Sequence, residues 1–131
     1  MESLDIVAVG KNEVVLQSNS VPELQANDIL VEAQKTLISI GTESIVVGRK
    51  FEPGTHWASW VQYPMPLGYL TAGRVIKVGQ DVHELQLGDR VATRAPHRQY
   101  SICAADRALK IPDGGSDEEA AWFGLGNIVQ D

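Results

Sequence analysis

One cysteine, Cys103, is all the thiol chemistry in this 131-residue chain. An internal disulfide is excluded, and the composition fits a reducing compartment. Basic runs are absent as well: 11 Lys and Arg stand against 17 Asp and Glu, a formal net charge of −6. Nucleic acid and anionic membrane surfaces both select for clustered cations, so neither is expected as a partner. No apolar stretch approaches the ~20 residues that cross a bilayer. The opening Met1-Glu2-Ser3-Leu4-Asp5 lacks the basic-then-apolar pattern of a secretory signal, which makes the cytoplasm the expected location. Histidines number three (His56, His83 and His97) and show no ligand spacing, so the histidines alone indicate no metal site. Internal repeats and low-complexity segments are also missing.

What is present reads as one mainly β domain. The hydrophobic fraction of 44% and charged fraction of 21% are those of an ordinary globule. β-Branched runs at 4–10 and 13–18, separated by Gly10-Lys11-Asn12, predict a hairpin. Residues 29–37 alternate, with Ile29, Val31 and Ala33 on one face and Glu32, Gln34 and Thr36 on the other, as in a half-buried strand. Gly41 to Gly48 reads as a short helical turn capped by Thr42. Residues 49–65 have no clean period and read as a loop held down by Trp57, Trp60 and Tyr63. The central stretch, 66–91, reads as strand, polar turn and strand; Gly68 and Gly73 in it predict a bend or a close backbone approach. Short strands follow at 99–104 and 108–111, then a helix with a Ser116/Glu119 capping box, expected to run to Asp131.

Four of these pieces, in this order, carry a resemblance. They are Gly41-Thr42-Glu43; Pro66-Leu67-Gly68-Tyr69 with Gly73-Arg74-Val75 and Val78-Gly79; Gly88-Asp89-Arg90-Val91; and Leu109 to Gly114 with Ser116 to Ala121. Together they resemble the N-terminal substrate domain of the medium-chain alcohol dehydrogenases and reductases. The resemblance implies a GroES-like β-barrel with short helices over 1–121. Residues 122–131 would then begin a helix leading to a nucleotide-binding domain that this sequence does not contain. It also implies NAD or NADP as cofactor and hydride transfer at the carbon of a small alcohol or carbonyl substrate, in the cleft between the two domains. The chain alone would not be competent, and its first partner would be the missing domain. Gly124-Leu125-Gly126-Asn127 begins like a dinucleotide fingerprint but follows a helical run, and no third glycine arrives. A homo-oligomer stays open. So do two other readings, a small-molecule or protein binding module on the same barrel and a ring-forming co-chaperonin; Gly41-Thr42-Glu43 and the capped last helix argue against the ring.

The resemblance also assigns residues. Where zinc-dependent members carry their ligands this chain has Ile40, Tyr69 and Gly124, with Leu70 in place of a frequent glutamate, so no zinc is expected and a zinc-independent branch is implied. Thr42 matches a hydroxyl that binds the substrate oxygen and relays its proton, beside its reading as a cap; Gly41 and Thr42 would also meet the cofactor. Glu43 matches a carboxylate that orients a zinc-bound histidine, a role in doubt here, and a purely stabilising place in the first helical turn is favoured. Tyr69 can donate to a substrate carbonyl from the vacated ligand position or merely fill the space. His97 is a candidate proton carrier, against a favoured reading as polar surface. Trp57 and Trp60 either line an apolar substrate pocket or cover the core. Cys103 reads as a small buried hydrophobe.

Overall fold

The N-terminal residues form the expected hairpin, β1 (Glu2–Gly10) on β2 (Glu13–Ser20), in the computed structural model, which describes residues 1–122. Asn12 turns the chain at a φ of 59°, a left-handed conformation that asparagine tolerates better than most residues. β4 (Met65–Pro66) pairs with the other edge of β1, giving a three-stranded sheet of order β2-β1-β4. The second sheet contains β3 (Asp28–Thr36), β5 (Thr71–Val78), β6 (Arg90–Thr93), β7 (Tyr100–Ala104) and β8 (Leu109–Lys110). Its order is β7-β3-β5-β6-β8, and every pairing is antiparallel.

β3 departs from simple alternation. A bulge between Leu30 and Val31 shifts its register against β5, and Ile29, Leu30 and Val31 are all buried. Ile29 and Val31 pack with Val75, Val91 and Ala105 in the main core, where each large aliphatic contributes about 1.5–3 kcal/mol. Gly73 marks the close approach its position suggests: a Cβ there would lie 2.5 Å from the Glu32 carbonyl oxygen of β3.

Among the described residues three short α-helices accompany the sheets, α1 (Ile40–Gly48), α2 (His56–Trp60) and α3 (Asp117–Ala121), with one 3-10 turn at Ala105–Arg107. α2 corrects the reading of 49–65 as loop throughout; five residues are too few to show a helical period. At α3 the Ser116 hydroxyl accepts from the Glu119 N–H at 3.0 Å, half of the expected capping box. The expected run of this helix to Asp131, and with it Gly124 to Asn127, lies outside the described residues.

The mainly β class is as expected, but the sheets do not close into a barrel. They meet at one isolated bridge, Asp5 to Arg98, flanked by bonds from the Ile6 N–H to the His97 carbonyl (3.0 Å) and from the Gln99 N–H to the Leu4 carbonyl (3.1 Å). Backbone bonds continue past β4, from the Leu67 N–H to the Ile6 carbonyl (3.1 Å) and from the His97 N–H to the Leu67 carbonyl (2.7 Å), without forming a closed ladder.

Candidate active site

α1 is where the chemistry gathers, and its N-terminus is built differently from the sequence expectation. Ser39, not Thr42, is the N-cap residue, with φ −88° and ψ 96°. The Ser39 N–H donates to Glu43 Oε2 while the Glu43 N–H donates to the Ser39 carbonyl at 2.9 Å. The first bond is one half of a capping box with the acid one residue later than usual; the second is the ordinary first bond of the helix, and the Ser39 side chain makes no cap bond. Thr42 therefore lies inside the helix, half-buried. At the other end Arg49 adopts a left-handed φ of 47°, and the Asn12 N–H of the hairpin turn donates to the Val47 carbonyl at 2.7 Å. The helix is thus pinned to the β1–β2 hairpin.

The other oxygen of Glu43 meets His97. Nε2 of His97 lies 2.6 Å from Glu43 Oε1, and both residues are buried, at 6% and 8% exposure. This corrects the reading of His97 as polar surface. Two backbone bonds fix the ring's position, from the His97 N–H to the Leu67 carbonyl (2.7 Å) and from the Ile6 N–H to the His97 carbonyl. Gly68, at φ +91°, makes room for it: a Cβ there would stand 2.5 Å from Nε2. The second ring nitrogen, Nδ1, is buried and has no partner among the described residues.

Glu43 and His97 both line a cavity of about 510 Å³. Its walls are largely aliphatic, including Ile6, Ile38, Ile40 and Leu67, with Lys50 at the edge. The Lys50 stem lies against Gly48, where an added Cβ would be 2.9 Å from Cε. A mainly apolar cleft with a few polar side chains, here Glu43 and His97 with Asn12, Thr36, Ser44 and Lys50, is the common form of a small-molecule site.

The remaining candidates fall elsewhere. Tyr69 does not line this cavity; its hydroxyl donates to Ser39 Oγ at 3.0 Å, behind the helix cap. Trp57 packs against the Ala8, Val46, Val61 and Leu67 cluster, and Trp60 meets it edge-on at 5.5 Å. Neither tryptophan lines the cavity; Trp57 covers the core, and Trp60 is exposed beside it. Gly41 is exposed, with open space where a Cβ would stand. His56 and His83 are exposed. Cys103 packs partly buried against the main core, and burial pushes its thiol pKa up, with Asp28 adding to the rise.

Sequence reasoning missed Ser39, Lys50 and the Glu43–His97 pairing. A serine four residues before a glutamate was the only local signal of the first. Nothing local marked the pairing, across 54 residues of chain.

Of the positions matched to zinc ligands, Ile40 and Tyr69 offer none and Gly124 lies outside the described residues; Glu43 and His97 are bonded to each other, and no three of His, Cys, Asp or Glu converge among the described residues.

Comparison with known proteins gives a consistent picture. Residues 25–126 match the alcohol dehydrogenase GroES-like domain family. The chain is similar to an L-threonine 3-dehydrogenase of Vibrio cholerae, 29% identical over 144 residues, covering 83% of this chain and 39% of the relative. Among solved structures, the human synaptic vesicle membrane protein VAT-1 homolog-like protein superposes with a TM-score of 0.79 at 21% identity, covering 98% of this chain and 41% of that one. The Escherichia coli quinone oxidoreductase complexed with NADPH gives a TM-score of 0.64 at 27% identity, covering 92% and 36%. The chain thus spans about two fifths of the length of the curated relative and no more of these structures. No helix among the described residues is long and apolar enough to cross a membrane.

Proposed function

The chain belongs to the alcohol dehydrogenase GroES-like domain family, within the medium-chain dehydrogenases and reductases, and from that premise we propose that it is the substrate-binding part of an NAD(P)-dependent oxidoreductase. The observation that carries this reading is the buried Glu43–His97 pair on the wall of an aliphatic cleft. The substrate class is a small alcohol or carbonyl compound with an apolar body. On this reading the branch is zinc-independent, and the proton chemistry falls to the side chains.

The pair has the right form for that task. With Glu43 as a carboxylate, Nε2 of His97 must be the donor at 2.6 Å, which fixes the tautomer and leaves Nδ1 as the basic nitrogen. On this reading Nδ1, buried in this structure, takes the proton of an alcohol in one direction and returns it to a carbonyl oxygen in the other once the ring shifts to open it to the cleft. Glu43 orients the ring and stabilises it when charged, while its second oxygen is held by the Ser39 N–H. Leu67 gives the substrate body a buried apolar contact, and Ile38 and Ile40, exposed here, would exclude water from it once the cofactor domain covers them. The bound nicotinamide would supply or accept the hydride. Gly41 and Thr42, at the start of α1, would hold the cofactor where it meets this domain, and the open space at the exposed Gly41 is compatible with that. Tyr69, behind the cap, supports Ser39.

The test is NAD(P)H oxidation by the full-length protein against a panel of aldehydes, ketones and quinones. His97→Asn should lower kcat/KM by about 10²–10⁴, the range of a lost general acid or base, with the KM for NAD(P)H unchanged. Glu43→Gln should lower it by less. Activity surviving exhaustive chelation would support zinc independence. Full activity in His97→Asn would end this reading.

A further inference from the structure

A second cavity, of about 470 Å³, shares no lining residue with the Glu43–His97 cleft. It lies between the end of β6 and β7, lined by Thr93, Arg94, Arg98, Ser101, Cys103 and Arg107 among others. Three of the chain's six arginines are therefore on one cavity of a protein whose net charge is −6. No acidic side chain lines it. The nearest carboxylate to any of the three is Asp5, whose Oδ2 is 3.7 Å from Arg98 Nε, a separation too long for a hydrogen bond. Arg94 and Arg107 have no ion-pair partner among the described residues. Asp28 and Asp106 lie close enough to act on the Cys103 thiol, and Arg107 acts on it in the opposite sense.

A second observation is independent of charge. Three buried side-chain polar atoms lack a hydrogen-bond partner among the described residues, and two of them, Thr93 Oγ1 and Arg98 Nε, belong to residues lining this cavity. Thr93 is 2% exposed. Native folds rarely leave such atoms unpaired. The Thr93 hydroxyl can donate to an acceptor-rich ligand once the ligand displaces its cover, whereas Arg98 Nε faces Asp5 and leaves the rest of its guanidinium for the cavity. The loop that carries Arg94 and Arg98 is also held in place: the Thr71 hydroxyl donates to the Ala95 carbonyl at 3.0 Å, and the Gln99 N–H is bonded to Leu4.

We propose that this cavity binds the phosphate group of a small phosphorylated compound, at a site separate from the Glu43–His97 cleft. Planar guanidinium groups match phosphate oxygens in pairs, and a buried hydroxyl and two arginines without an ion-pair partner among the described residues supply donors on one cavity. The cavity is larger than one phosphate, and Ala95, Pro96 and Ile102 give the remainder an apolar lining for the ligand's body.

Cys103 is a built-in reporter, because it lines the cavity and is the only thiol of this sequence. The experiment follows alkylation of Cys103 in the full-length protein by iodoacetamide, read by peptide mass spectrometry, with phenyl phosphate or inorganic phosphate as probe. Phenyl phosphate should slow alkylation saturably at millimolar concentration, with inorganic phosphate weaker and chloride at equal ionic strength without effect. The Arg94→Gln/Arg107→Gln variant should weaken protection about tenfold or more, and Thr93→Val several-fold, with circular dichroism unchanged. If the double variant does not fold, Thr93→Val alone carries the test. No protection by either probe, or equal protection in the variants, would overturn the proposal and leave a solvent-filled cleft.

Discussion

Gly68→Ala isolates the contact on which the candidate site depends. Its cost has two parts that can be separated. The first is backbone: Gly68 has φ +91°, and an L-residue forced to positive φ loses about 1–2 kcal/mol. The second is steric. The new Cβ would stand 2.5–2.6 Å from three atoms of the His97 ring. Restoring van der Waals separation requires a movement of about 1 Å. The ring cannot make that movement freely, because backbone bonds of 2.7 and 3.0 Å hold His97 on both sides and Glu43 holds Nε2 at 2.6 Å. The movement therefore breaks the charge-assisted hydrogen bond, worth about 1.5–3 kcal/mol. The sum, about 2.5–5 kcal/mol, is a large part of the 5–15 kcal/mol typical of a domain. Urea unfolding of the single variants and of the double variant with His97→Ala would measure it as a cycle. In the His97→Ala background only the backbone part should remain, giving a coupling of about 1.5–3 kcal/mol. Equal cost of Gly68→Ala in both backgrounds, within about 0.5 kcal/mol, would refute the reasoning.

Two further outcomes follow from contacts elsewhere. Arg90 donates through Nε and Nη2 to Asp117 Oδ1 at 3.1 and 3.0 Å and through Nη2 to the Gly115 carbonyl at 2.7 Å, tying α3 to the second sheet. Arg90→Ala should cost about 2–3 kcal/mol in urea unfolding, and Arg90→Lys should restore only part of it, because one ammonium cannot reproduce the fork; full rescue by Lys would contradict this geometry. At Cys103, burial and then Asp28 disfavour the thiolate, while Arg107 opposes them. The pH midpoint of its alkylation should therefore lie above the ordinary thiol value of about 8.5, falling in Asp28→Asn and rising in Arg107→Gln. The linkage has a definite sign: a thiol raised on folding contributes full stability below its unfolded pKa and loses it as pH climbs toward the folded one. A midpoint at or below the ordinary value would contradict the burial.

The parts of the fold that were legible in advance are those decided within a few residues. β-Branched runs on either side of Lys11-Asn12 specify a hairpin because strand and turn preferences agree there. Ser116 and Glu119 specify the start of α3 because capping acts over three residues. Gly73 is legible for the same kind of reason, since a missing side chain in a strand marks a close neighbour. Some local readings still failed. Thr42 and Ser39 are both good capping residues, and the choice fell to Ser39 because Glu43 could close on its N–H. Residues 49–65 hid a five-residue helix that no period could reveal.

Motif order in the sequence was enough for the family and the mainly β class. Where the hydrogen-bonded ladders stop depends on how two sheets meet, and a single bridge beside two prolines is not visible as a pattern. The same limit holds for function. Glu43 reads in sequence as a first-turn acid and His97 as a loop histidine, since neither has a partner nearby in the chain. Only the tertiary structure pairs them, because the bonds from Ile6 and to Leu67 bring 97 across the start of α1 and Gly68 leaves room for its ring. Local preferences are set by backbone geometry over one turn, whereas contacts across 54 residues are set by where the sheets place their loops.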